Sequence, residues 1–87
     1  MPTFVVEAYL SIAAEALESA RARAERAASA DVRYVRTTIL GDDDTCLHTF
    51  EAPSRELLEQ AMRDAGLEHD RIAEAIEKPA DDRKGTR

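Results

Sequence analysis

The sequence predicts a single α+β domain with the element order βαββαβ, and three observations predict it. Short runs rich in β-branched and aromatic residues recur along the chain, two longer stretches carry apolar residues at helical spacing, and the breaks between them hold Gly, Asp, Pro and Ser. Eighty-seven residues suffice for one hydrophobic core and no second.

The first run, Thr3 to Leu10, is dense in Phe, Val and Tyr and too short for an ordinary helix, so it reads as a strand. From Ser11 the period changes. Ala13, Leu17, Ala20, Ala24 and Ala27 recur at steps of four and three, which is the buried stripe of an amphipathic helix. Ser11 suits its N-cap, Glu15 and Glu18 lie toward the positive end of the helix dipole, and Arg23 and Arg26 lie toward the negative end. The alanines predict close packing on a sheet. Val32 to Leu40 and Thr45 to Ala52 are two further strands, and Gly41-Asp42-Asp43-Asp44 between them reads as a hairpin turn. Pro53-Ser54 opens a second helix with Leu57, Leu58, Ala61, Met62 and Ala65 on its buried side. Gly66 followed by Leu67 predicts a left-handed C-cap with an apolar residue folding back. Arg71 to Glu77, with Ile72 and Ile76, is the last strand, so the domain spans residues 1–77 and leaves 78–87 as a flexible tail.

This is the split βαβ, or ferredoxin-like, order. Right-handed crossovers put both helices on one face of a four-stranded antiparallel sheet and leave the other face open. In the first strand Phe4, Val6 and Ala8 point one way while Val5, Glu7 and Tyr9 point the other, so apolar groups stand on both faces. An open apolar face marks an association surface, and the expected partner is a second copy, giving a homodimer.

Charge narrows the partners. Of the 12 Lys and Arg and 18 Asp and Glu, four and two lie between Lys78 and Arg87, leaving eight against sixteen in the domain. An acidic body without a basic stripe predicts no nucleic-acid binding. No apolar run approaches the roughly 18 residues that span a bilayer, and Met1 to Leu10 lacks the pattern of a secretory signal. With a single cysteine, Cys46, and so no intrachain disulfide, these features predict a cytoplasmic protein.

Three segments carry a family resemblance: Phe4-Val5-Val6-Glu7, the stretch Thr45-Cys46-Leu47-His48-Thr49-Phe50-Glu51-Ala52-Pro53-Ser54, and Ala65-Gly66-Leu67 followed by Asp70-Arg71-Ile72. Together they resemble a family of small bacterial proteins described as nickel-binding, ferredoxin-like and dimeric. The resemblance covers about the first 77 residues and is most specific at the Phe-Glu-Ala-Pro-Ser junction. It implies nickel as the bound cofactor and the same sheet as its place. The chain departs from the family in having His48 where many relatives have Cys, and Arg36 at a strand position that is His in some members.

Chemistry names the candidate ligands. Cys46 and His48 are two apart on one strand and face the same side, offering a thiol and an imidazole to nickel or zinc. Glu7 on the neighbouring first strand joins them only if the pairing register allows it. The competing reading makes Cys46 an apolar filler and His48 an ordinary hydrogen-bonded residue. His69 reads as a solvated turn residue, Asp42 to Asp44 as a solvated turn lacking the spaced ligands of a calcium loop, and Glu59 with Arg63 as an exposed helix face. A Gly-rich phosphate loop, a Cys-x-x-Cys pair and a serine-nucleophile motif are all missing, which argues against a nucleotide-using enzyme.

Two functions emerge, with a plain interaction module as a third. One is non-catalytic binding of a divalent transition metal, nickel by resemblance, for buffering, storage or sensing. The other is a dimeric α/β barrel whose pocket between sheet and helices binds or transforms a small organic molecule, with His48, Tyr34 and Arg36 as pocket residues and His48 a general acid or base.

Overall fold

A computed structural model describes residues 1–9, 14–29 and 31–78. Its elements are β1 (Thr3–Tyr9), α1 (Ala14–Ala27), β2 (Arg33–Leu40), a 3-10 turn (Gly41–Asp43), β3 (Thr45–Glu51), α2 (Arg55–Ala65) and β4 (Arg71–Ala75). The strands form one antiparallel sheet in the order β2-β3-β1-β4, which is the ferredoxin-like arrangement. The Ser11 cap and residues 79–87 of the predicted tail lie outside the described residues, while Lys78 is exposed. No helix among the described residues is long and apolar enough to cross a membrane.

One face of the sheet is packed. Phe4, Val6 and Ala8 of β1 alternate inward, and their partners across β3 are Phe50, His48 and Cys46. Ala24 and Ala27 of α1 and Leu58 and Met62 of α2 close over them with Val32, Ala52 and Leu67. Alanines at Ala20, Ala24 and Ala27 let α1 lie close to the sheet, as their spacing predicts. On α2 the buried stripe is Leu58 and Met62, flanked by half-buried Ala61 and Ala65. Leu57 is 44 % exposed, because one residue is a 100° turn of the helix and carries it off that stripe.

Both ends of α2 form as expected. Ser54 Oγ accepts from the Leu57 amide at 3.2 Å. At the other end Gly66 is left-handed at φ 71°, its amide donates to the Arg63 carbonyl, and the Leu67 amide donates to Met62 at 2.9 Å. The last strand ends at Ala75, two residues early. Ala75 faces Thr3, the first residue of β1, and beyond Thr3 stands Pro2, which has no N–H and whose carbonyl accepts from Ala52. Ile76 therefore has no ladder to join and is 83 % exposed.

β2 carries a bulge at Val35, between Tyr34 and Arg36. Tyr34 pairs with Phe50 and Thr37 with His48, so three steps on β2 match two on β3 and both side chains reach the helix-covered face. Arg36 pairs with Thr49 and stands on the open face, away from Tyr34 and His48.

Replacing Ser54 by Ala removes the α2 cap and should cost about 1 kcal/mol. In a thermal melt that is a drop of roughly 4 to 8 °C for a domain of this size; an unchanged melting temperature would show that the cap contributes nothing.

Candidate functional site

The site is built around His48, in the middle of β3 with Val6 beside it on β1 and Thr37 on β2. Its side chain is fully buried. Nδ1 lies 2.8 Å from Thr37 Oγ1, which is 2.6 Å from the Tyr34 hydroxyl, so the bulge at Val35 creates a three-group relay along the inner face. Among the described residues Nε2, which is buried, has no hydrogen-bond partner. Desolvation by burial pushes His48 below its ordinary pKa of 6.5, so the ring is neutral at pH 7.

His48 lines a cavity of about 720 Å³ between α1, the end of β1 and the loop from α2 to β4. The buried part of the wall is Ala8, Ala20, Leu67 and His48, so His48 is the one polar side chain of an otherwise apolar inner lining. The exposed part includes Arg23, Glu68, His69 and Asp70, which make a polar mouth of mixed charge. Asp70 anchors that mouth: its amide donates to the Glu7 carbonyl at 2.7 Å, and its Oδ2 accepts from the Tyr9 amide at 2.7 Å. The loop is thereby tied to the end of β1 rather than left to swing.

The three predicted metal ligands are not brought together. Glu7 pairs with Leu47 and Arg71, which puts it on the open face, opposite to His48, where its carboxylate stands 3.9 Å from Arg71 Nε. The register decides this, since neighbouring residues on a strand point to opposite faces. Cys46 does share the inner face with His48, facing Ala8 and Ile39, but it is not among the residues lining the cavity. Burial raises the Cys46 thiol above its ordinary pKa, so at neutral pH it is a protonated, apolar filler. Among the described residues no group of three or more His, Cys, Asp or Glu side chains is placed to hold a metal ion.

His69 is exposed, as its sequence neighbours imply, in the loop from α2 to β4, and it also stands at the cavity mouth. Arg23 is a residue that sequence reasoning assigned only to the helix dipole; its position three after Ala20 on the cavity side of α1 is the signal that could have placed it there.

No family model and no curated protein matches the sequence. Among solved structures the chain is similar to SCO4226 from Streptomyces coelicolor A3(2), with a TM-score of 0.71 and 19% identity over 88% of this chain and 99% of that one. At that identity the likeness shows a shared fold.

Because the folded pKa of His48 is lowered, the unfolded chain binds the extra proton first as pH falls below 6.5. Stability should therefore be insensitive to this group above that value and should decline as the solution is acidified toward about pH 5. Melts of the native protein and of His48→Gln across this range check the sign: the native slope should be the steeper, and equal slopes would remove His48 as the cause.

Proposed function

We propose that the protein is a ligand-binding module whose cavity holds a small organic molecule on Nε2 of His48. The observation that carries this reading is the buried Nε2, unpartnered among the described residues, of a histidine that lines the cavity. A buried polar atom without a partner costs about 1 to 3 kcal/mol, and native folds keep such an atom where a ligand or ordered water completes it. An apolar inner wall with one polar atom, opening through a polar mouth, is the general form of a small-molecule site. Tyr34 and Thr37 hold the ring in place, and neither Arg36 nor Glu7 takes part.

A transition metal, nickel first and zinc next, is the second reading, for buffering, storage or sensing. It is favoured by the relay, because a metal-bound imidazole is held through its other ring nitrogen by an oxygen partner of this kind. His69 and Asp70 line the same cavity, but with His48 they are not grouped to hold an ion, so this reading needs them to move toward Nε2 on binding. The free, buried thiol of Cys46 suits a reducing compartment, and we place the protein in the cytoplasm.

We further propose a homodimer through the open face of the sheet. Val5, Leu47 and Ala73 form its apolar centre, framed by the ion pairs Arg33–Glu51, Arg36–Glu77 and Arg71–Glu7. A frame of both signs is compatible with a second copy turned through a two-fold axis.

Protein-observed NMR with a library of neutral aromatic and alicyclic fragments tests the first reading. Binding fragments should shift the signals of Ala8, Ala20 and Leu67, and His48→Leu should weaken them roughly tenfold; a library without a hit at these residues contradicts it. Nickel and zinc calorimetry tests the second, which requires binding that weakens toward about pH 5 and falls at least tenfold in His48→Ala. Light scattering should return twice the 9.6 kDa chain mass, and Leu47→Asp should return the monomer; a native monomer ends the dimer proposal.

A further inference from the structure

We infer that the sheet edge formed by β2 is a second association surface, and that its occupant is the same edge of another copy, run antiparallel about a two-fold axis. An edge strand leaves main-chain N–H and C=O groups unpaired, and folded proteins protect such edges with short strands, charges, bulges or a covering group. The two edges of this sheet differ in that protection. β4 is five residues long, carries Arg71 and Glu74, and has Arg55 Nη1 donating to its Ile72 carbonyl at 3.0 Å. β2 is eight residues long, and its protection is confined to the first half, where Arg33 and Arg36 flank the bulge at Val35. From Thr37 to Leu40 the strand carries no charge, no proline and no bulge. Among the described residues no side chain hydrogen-bonds to the main chain of that stretch.

The distribution of charge selects the occupant. Arg33 and Arg36 stand at one end of β2, Asp42, Asp43 and Asp44 in the turn at the other, and all of them are exposed. A strand with this polarity is complementary to itself when reversed. A two-fold axis through Thr38 sets the arginine end of each copy beside the aspartate end of the other, whereas parallel pairing would set like charges together. The same arrangement covers two apolar side chains, Ile39 on the helix side and Leu40 on the open side, which are 44 % and 41 % exposed in the single chain. Ile39 then lies beside the partner's Thr37, and Leu40 along the apolar stem of the partner's Arg36. The straight part of the strand, Arg36 to Leu40, is short, so the pairing is weak and concentration-dependent. It leaves the open face free and so stands or falls apart from the face-to-face dimer.

Protein-observed NMR of the full chain, diluted from about 1 mM to about 50 µM, tests the inference. The amide signals of Thr37 to Leu40 should move with concentration. Two exposed double variants, Arg33→Glu with Arg36→Glu and Asp42→Lys with Asp43→Lys, should each weaken that association at least roughly tenfold, because each copy then meets like charge at both ends. An equimolar mixture of the two variants restores opposite charges at both ends and should restore the shifts. Signals of Thr37 to Leu40 that stay fixed in the native protein overturn the inference. Variants that associate as the native chain does, or a mixture that regains nothing, overturn the two-fold pairing of the edges. The face-to-face dimer is read separately from Val5, Leu47 and Ala73, so movement there with a silent β2 sinks only the edge, and the reverse result sinks only the face.

Discussion

The pairing of β1 with β3, which sets Val6 opposite His48, is the constraint on which the rest of the structure depends. Side chains alternate along a strand, so this register sends Phe4, Val6 and Ala8 inward together with Phe50, His48 and Cys46. A slip of one residue would either exchange His48 for Leu47 and Thr49 under the helices or, with β3 unchanged, bring Glu7 into the core. Burying that carboxylate without a partner is far costlier than burying a neutral imidazole that Thr37 already engages. The hydrophobic pattern of the two central strands therefore specifies both the core and the face on which the His48 ring lies.

The same register produces the cavity through a gradient of size. Inward-facing residues of β1 shrink from Phe4 through Val6 to Ala8, and those of β3 pass from Phe50 to His48 to Cys46. At the large end Phe50, Leu58 and Met62 are fully buried and fill the space between sheet and helices. At the small end Ala8 faces Ala16 and Ala20 of α1 across a space their methyl groups cannot fill. Interiors pack to near-crystalline density, so an unfilled end beside an unpartnered nitrogen is a feature to be explained by an occupant. The clamp of Asp70 on the amide of Tyr9 and the carbonyl of Glu7 holds the mouth in place.

Much of this fold was legible in the sequence, and the exceptions have physical causes. The order of elements, the Ser54 and Gly66 ends of α2 and the alanine face of α1 are local matters of propensity and period. The size gradient was also written in β1, as Phe4, Val6 and Ala8. What period could not supply was register. Glu7 could join His48 only if the register allowed it, and the register puts it on the other face, because strand pairing is decided by the whole sheet. The bulge at Val35 is a second case: nothing in Tyr34-Val35-Arg36-Thr37 announces it, yet it aligns Tyr34 and Thr37 behind His48 and turns Arg36 away. Arg23 and His69 reach the cavity mouth by tertiary packing, which local charge patterning does not reveal.

The account turns on what occupies the space next to Nε2 of His48. A crystal structure of the protein grown with a fragment that shifts Ala8, Ala20 and Leu67 measures this most directly. It should show a polar atom of the fragment about 2.7 to 3.2 Å from Nε2, with the apolar body against Ala8, Ala20 and Leu67 and with Thr37 still on Nδ1. A closed cavity in which Nε2 bonds to another group of the protein would contradict it.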